Sequence, residues 1–208
     1  MSDTLVAFLV SPLAYLLGTF PSAELVARRR GVDVMAEGSR NPGASNTFRL
    51  LGWKAGAVVF FLDVLKGAVA TAAGIAIDGH RGAFILGFAA LFGHVLPVTR
   101  HFRGGRGMAT GAGMMLVLFP VLTPGLALMW GALAWITHKA SIASLVVAVV
   151  APGAVALAGH PLRDVSIIGA LSAVVIVRHI SNLRRLVRGK ELGLSTGVDG
   201  DGDPAPPG

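Results

Sequence analysis

Long uncharged stretches alternate with short charged ones along this chain. Residues 4–23 carry no charge, 55–77 are apolar apart from Asp63 and Lys66, and 82–99 contain His94 as their one titratable group. Residues 107–137, 140–159 and 165–177 are uncharged throughout. A membrane-crossing helix takes roughly 20 apolar residues, which most of these runs approach. The 107–137 run is too long for one upright span, and it holds Pro120 and Pro124. Proline lacks an N–H and clashes with the preceding turn, so this run predicts two short helices joined near 120–125. The pattern therefore predicts an all-α, polytopic transmembrane helix bundle of about seven helices. The shorter runs leave room for a re-entrant segment.

The charged stretches set the orientation. Lys and Arg favour cytoplasmic loops. With Arg28, Arg29, Arg30, Arg40, Arg49 and Lys54 placed inside, the alternation also puts inside Arg100, Arg103, Arg106, Lys139 and the basic segment from Arg178 to Lys190. Only Arg81 and Arg163 then fall outside, and Lys66 lies within a span. This arrangement predicts the N-terminus outside and the C-terminus in the cytoplasm. Residues 1–192 form the transmembrane domain. Residues 193–208, with Asp199, Asp201, Asp203 and three prolines, read as a disordered cytoplasmic tail.

Composition supports a lipid-solvated protein. The chain has 208 residues, 53% of them hydrophobic and 14% charged, with a mean hydropathy of +0.69. A soluble domain is usually about 25% charged, so water is not the solvent this surface suits. The net charge of +7 raises nucleic acid as a partner. The basic residues sit in clusters between apolar runs, however, and with a single Tyr there is little support for base stacking. No nucleic-acid partner is expected. The absence of cysteine excludes disulfides, thiolate metal sites and a cysteine acyl-enzyme. The histidines are scattered, so no metal site or cofactor is expected. Asp3 and the long first apolar run do not fit a cleavable signal peptide. Oligomeric state leaves no mark on the sequence.

Three polar segments, all on the predicted cytoplasmic side, can carry chemistry. The first runs from Glu37 to Arg49 and includes Ser39, Asn41, Asn46 and Arg49. Its glycines and Pro42 shape a loop able to turn N–H groups toward an anion. The same residues also fit a solvated turn ending in a helix cap at Ser45 or Asn46. The second holds His94, Arg103, Gly104, Gly105, Arg106 and Gly107. Two arginines offer forked donors to phosphate, the glycines allow close backbone approach, and a following helix would add its N-terminal dipole. Its spacing is not that of a P-loop, and an ordinary positively charged loop is the alternative. The third is Arg178-His179-Ile180-Ser181-Asn182, where His179 and Asn182 share a helix face at i, i+3 and can hold a hydroxyl or a phosphate oxygen. An interfacial helix end anchored to anionic lipid is the competing use.

Other residues admit two uses. Asp63 and Lys66 lie at i, i+3 in an apolar helix, where charges are functional candidates by default. His94 suits either a proton carrier or a structural hydrogen-bonder. Ser141 and Ser144 suit either phosphate binding or helix packing. Gly52 and Gly56 match small-residue helix contacts. The Gly193 to Gly197 stretch matches Gly-x-Ser-x-Gly, but a nucleophile elbow needs a strand before it and a helix after it, and this stretch lies in the tail.

Taken together, these segments resemble the bacterial acyl-phosphate:glycerol-3-phosphate acyltransferases, integral membrane enzymes of phospholipid biosynthesis. The resemblance runs from about Ala14 to Glu191. It includes Ala14 to Pro21, the Gly38-Ser39-x-Asn41-Pro42-Gly43-Ala44-Ser45-Asn46 loop and Leu62 to Gly67. It continues through Gly93-His94, Phe102 to Thr110, Ser141-x-x-Ser144 and Arg178-His179-x-x-Asn182-x-x-Arg185-Leu186. It implies a seven-helix enzyme of the bacterial cytoplasmic (inner) membrane that moves a fatty acyl group from acyl phosphate to the sn-1 hydroxyl of glycerol 3-phosphate. The products are lysophosphatidic acid and phosphate. It also implies direct attack by the glycerol hydroxyl, with substrate phosphate as base and membrane lipid as surroundings.

By the same resemblance, Ser39, Arg49 and Arg106 hold phosphate groups, and His179 and Asn182 position glycerol 3-phosphate. Arg103, Lys66, Asn41, Asn46 and Ser141 support the site, and His94 orders the second loop. Backbone N–H groups from Gly104 to Gly107 would stabilise an oxyanion. The chain departs from the family pattern with Arg103 and Arg106 for Lys, Arg40 for Gly, Ser45 for Thr, Ser181 for Glu, and Ser22-Ala23 for Phe-Gly. A divergent relative with an altered substrate is thus one alternative. A non-catalytic transporter or lipid-binding protein, suggested by Asp63 and Lys66, is another.

Overall fold

The computed structural model describes residues 1–194. Every regular element among them is helical. Helix α1 (Asp3–Gly18) runs through Pro12, and α2 (Ser22–Arg28) follows after a break at Thr19 to Pro21. The expected 4–23 span is therefore interrupted near its end, where Pro21 cannot donate to the preceding turn. Helix α3 (Ala44–Val95) holds the second and third apolar runs. It breaks at Gly52 (φ 82°) and reverses at Asp78 and Gly79 (φ −145° and 53°). Gly52 is thus a break and not a helix-contact residue: a Cβ placed there would meet nothing within 4 Å.

A single turn of 3-10 helix (Val98–Arg100) leads to α4 (Met108–Leu118) and α5 (Leu122–Thr137). The expected pair of short helices therefore forms, with Pro120 in the connection and Pro124 in the first turn of α5, where its missing N–H costs least. Helices α6 (Ala140–Leu157), α7 (Leu162–Arg178) and α8 (Ile180–Val187) complete the described chain, with a 55° bend between α7 and α8. Counting the two limbs of α3 separately, and α2 and α8 as short end pieces, gives seven apolar helices.

Lipid-facing and protein-facing surfaces separate as the charge pattern requires. Leu128, Trp135, Val149 and Leu157 are largely exposed, an arrangement costly in water and natural in lipid. Inside, Phe84 and Leu91 of α3, Met114 of α4 and Ile168 of α7 form one buried cluster. Lipid gives helices little hydrophobic reason to associate, so close backbone approach must supply packing. Gly67 of α3 and Gly113 of α4 show this. A Cβ on Gly67 would collide with the Thr110 carbonyl, and one on Gly113 with the Val64 carbonyl.

The end of the described chain is docked. Leu194 N–H donates to the His138 carbonyl (2.8 Å), and Arg49 donates to the Gly193 carbonyl. Residues 195–208, which hold the rest of the expected tail and most of the Gly-x-Ser-x-Gly match, lie outside the described residues.

Candidate active site

The loop before α3 is built around one buried amide. Asn46 Nδ2 donates to the carbonyls of Val34 (3.0 Å) and Glu37 (3.1 Å), and its Oδ1 accepts the Ser39 N–H (2.7 Å). Its polar atoms are thereby engaged, so Asn46 shapes the loop. The expected cap at Ser45 or Asn46 is not made: α3 starts at Ala44 with Gly43 as its N-cap and no side-chain cap. Ser39 ends with its Oγ buried and without a hydrogen-bond partner.

The second loop is tied down from several sides. Tyr15 donates its hydroxyl to the Leu96 carbonyl (2.7 Å) and accepts the Val98 N–H (2.9 Å). Arg100 pairs with Glu24 at 2.6 Å, joining the loop to α2. Arg178 reaches across from α7 and donates to the carbonyls of Gly104 (2.8 Å) and Gly105 (3.2 Å). Gly105 N–H donates to the His94 carbonyl (3.0 Å), and a Cβ on Gly105 would strike the His94 ring. Two expectations change as a result. The Gly105 N–H is committed to His94 and is not available to an oxyanion. Close approach at Gly104 and Gly105 serves packing on the end of α3. His94 Nδ1 lies 3.7 Å from Asp63 Oδ1, too far for a hydrogen bond, so it props the loop chiefly by packing.

Asp63 and Lys66 form a buried pair at 2.8 Å. Ser22 donates to Asp63 (2.8 Å), and Lys66 also reaches the Phe20 carbonyl (3.3 Å). These bonds pin α2 and the break after α1 against α3. Lys66 thus sits inside the bundle, paired, and lines neither cavity described next.

Two cavities meet at this end of the bundle. One is a basin of about 540 Å³ lined by Ser39, Arg40, Asn41, Phe102, Arg103, Arg106, Arg178 and Ser181, among others, with no carboxylate in its wall. All three polar segments contribute to it. The other, of about 420 Å³, runs between helices and is walled by Met115, Leu126, Val147 and Leu171. Its polar end holds Asp63, His94, Arg106 and His179. Asn41 and Arg106 line both spaces, so the cationic basin and the apolar chamber share a wall at these two residues. Helices α3, α4 and α6 start at the chamber with Ala44, Met108 and Ala140 among its lining residues, and none has a side-chain cap. Their first-turn N–H groups and dipoles favour negative charge there.

Burial pushes the Arg106 guanidinium down to about 10, with Glu191 opposing that shift and Arg185 and Arg49 adding to it. It remains a cation at neutral pH. His179 lies at the α7–α8 bend, where its Nδ1 donates to the Val175 carbonyl at 2.8 Å. A carbonyl can only accept, so the proton is on Nδ1 and Nε2 keeps its lone pair. Burial lowers His179 to about 4, partly opposed by that hydrogen bond, and Arg106 lowers it further. The imidazole is therefore neutral at pH 7 and able to accept a proton or a hydrogen bond.

Behind His179, Asn182 Nδ2 donates to Glu191 Oε1 (2.6 Å) and Arg185 Nε to Glu191 Oε2 (2.8 Å). Burial favours the neutral acid at Glu191, but the hydrogen bonds from Asn182 and Arg185 outweigh it and hold the carboxyl below its usual range. Ser141 lies close enough to add to this effect, though its buried Oγ makes no hydrogen bond of normal geometry. Asn182 Oδ1 is likewise buried without a partner.

The expected residues thus fall into two groups. Ser39, Asn41, Arg103, Gly104 and Arg106 line the basin, and Asn41, Arg106, Gly107, His94 and His179 line the chamber. Asn46, Lys66, Asn182, Ser141 and Gly105 stand behind these walls. Arg49 also lies off both cavities, donating to the carbonyls of Ser45 (3.2 Å), Leu192 (3.4 Å) and Gly193. Arg40, Asp63 and Glu191 were not among the residues assigned to the site. Glu191 was the least visible, an isolated acid beside an apparent tail.

The profile of the Glycerol-3-phosphate acyltransferase family matches residues 8–189. The chain belongs to this family. It is 40% identical over 187 residues to glycerol-3-phosphate acyltransferase 2 of Bacillus cereus, covering 88% of this chain and 93% of that one. It is 40% identical over 182 residues to the glycerol-3-phosphate acyltransferase of Rubrobacter xylanophilus, covering 86% and 90%. Among solved structures it resembles PlsY, an integral membrane glycerol 3-phosphate acyltransferase. The glycerol 3-phosphate form of PlsY superposes with a TM-score of 0.86 at 33% identity, covering 90% of this chain and 95% of that one. The lysophosphatidic acid form gives 0.83 at 34% identity. The chain is accordingly a multi-pass helical membrane protein.

Proposed function

We propose that the protein transfers a fatty acyl group from acyl phosphate to the sn-1 hydroxyl of glycerol 3-phosphate, releasing lysophosphatidic acid and inorganic phosphate. The observation carrying this reading is the shared wall at Arg106 and Asn41 between a cationic basin and an apolar chamber. The reaction needs that junction: the acyl chain occupies the chamber, the acceptor's phosphate the basin, and the reacting carbonyl lies between them. The relatives' names and the two forms of PlsY support the acceptor and the product.

The hydroxyl oxygen attacks the acyl carbonyl carbon, forming the new ester C–O bond. The bond from that carbon to the phosphate oxygen breaks, and the hydroxyl proton leaves with the phosphate. An acyl phosphate is already activated, so no protein nucleophile is required. His179, neutral with Nε2 open, accepts a hydrogen bond from the hydroxyl and orients it. Arg106 stabilises charge on the departing phosphate. Uncapped α3, α4 and α6 add favourable potential. The three polar segments face the cytoplasm of a bacterial inner membrane, where the charge pattern places them.

Purified protein in detergent, given palmitoyl phosphate, should release phosphate only when glycerol 3-phosphate is added. Release independent of the acceptor refutes the reading, and none across varied lipid conditions favours a transporter or lipid-binding role.

A further inference from the structure

Ser39 is flanked by two residues in the left-handed region, Gly38 at φ 59° and Arg40 at φ 53°. Glycine occupies that region freely, whereas a residue with a Cβ is strained there. A long cationic side chain at such a position calls for a reason, and strain of this kind gathers at ligand clamps. The backbone itself does not require arginine, since the one bond the Arg40 N–H makes is to the Glu37 carbonyl (3.0 Å), which any non-proline residue can supply.

The side chain lines the cationic basin. Of the four arginines there, Arg178 is committed to the carbonyls of Gly104 and Gly105, and Arg106 stands at the junction with the chamber. Arg40 and Arg103 come from separate loops, and among the described residues neither is in a salt bridge. Like Arg106, both have guanidinium groups that pair with no carboxylate among the described residues, and unlike Arg106 they line only the basin.

We infer that Arg40 is a specificity-determining residue that grips the phosphate of the acceptor together with Arg103 of the second loop. This rests on the placement of glycerol 3-phosphate in the basin. A dianion between two forked donors is held more tightly than by one alone. Neutral polyols gain nothing from Arg40, so it selects phosphorylated acceptors.

Glycine suits the backbone at this position, so Arg40→Gly removes the cation without endangering the fold. With saturating acyl phosphate, Arg40→Gly should raise KM for glycerol 3-phosphate about threefold to fivefold, the upper part of the range for one exposed ion pair, while kcat changes less than KM. The rise should shrink as salt is added. Arg40→Lys, which keeps the charge, should recover at least half of the lost affinity. An unchanged KM in Arg40→Gly, or a loss confined to kcat, overturns the inference. If the parent protein shows no activity with glycerol 3-phosphate, the acceptor assignment fails instead. Arg40 is then read through inorganic phosphate: phosphate should raise the parent's melting temperature more than that of Arg40→Gly, and equal shifts overturn the role.

Discussion

Asn182 Nδ2 lies 2.6 Å from Glu191 Oε1, and this bond determines which way the Asn182 amide faces. An amide presents a donor at one end and an acceptor at the other. With Nδ2 committed to a carboxylate, Oδ1 is turned away, buried and unpartnered. Glu191 thus anchors Asn182, one helical turn past His179, and its effect on turnover is expected to pass through that turn of α8. Glu191→Met, similar in size and without an acceptor, should lower kcat about tenfold, the worth of a charge-assisted hydrogen bond. In an Asn182→Ala background the same change should cost little more, because residues acting as one unit are not additive. Additive losses in this double-mutant cycle would make Glu191 an independent structural support. Glu191→Gln, which keeps an acceptor for Asn182, should retain more activity than the methionine variant.

His179 stays neutral into the acid range. Its folded value of about 4 lies below the ordinary 6.5 because burial disfavours the cation. Between these values the unfolded chain binds a proton that the folded chain does not, so stability falls as pH is lowered through that window. The neutral form persists well below pH 6. The His179 ring resonances followed by NMR against pH should hold their neutral positions until pH approaches 4, and a midpoint near 6.5 would contradict the buried, neutral imidazole. His179→Ala should lower turnover by at least about tenfold, the loss expected for one hydrogen bond that orients the attacking hydroxyl.

The helices and the identity of the three polar segments were legible in the sequence, because apolar runs and clustered charge are local signals. The breaks at Pro21 and Gly52 were harder to place, since a hydrophobic average does not see where one backbone angle changes. Within the site, Arg106, Ser39 and His179 were identified by residue type and lie on the cavity walls. Asn46 was identified but its use was not, because its partners Val34 and Glu37 are backbone carbonyls that any residue type could present. Arg49 is a phosphate ligand by resemblance, and nothing in the sequence signals that residues 192 and 193 fold back onto it from the far end of the chain. Glu191 falls under the same rule: its importance comes from contacts that only the folded chain creates.

Arg106 joins the two cavities and should be the most sensitive cation. Burial lowers it to about 10, so it stays charged at neutral pH. Arg106→Ala should reduce kcat/KM by about 10- to 100-fold, corresponding to one or two charge-assisted hydrogen bonds. Arg106→Lys keeps a point charge without the fork, so it should fall between the parent and the alanine variant. Initial-rate measurements over both substrates will show whether the loss lies in kcat, as expected for a group that meets charge developing on the leaving phosphate. A loss seen only in KM would move Arg106 to simple substrate capture.

Gly105 tests whether the second loop is held by packing on His94. A methyl group there would run into the His94 ring, and because Arg178 and the His94 carbonyl fix the Gly105 backbone, the loop cannot simply step aside. Gly105→Ala should therefore lower the melting temperature in detergent, with a cost of about 1–3 kcal/mol typical of overpacking. It should also lower activity, by displacing Arg106 one residue away. Truncating the obstacle relieves the clash: Gly105→Ala with His94→Ala should be more stable than the sum of the two single changes predicts. Gly125 in α5 serves as the control, since a Cβ there meets nothing within 4 Å. Gly125→Ala should leave the melting temperature unchanged or raise it, as alanine suits a helix interior better than glycine. If Gly105→Ala behaves like Gly125→Ala, the loop is not seated on His94.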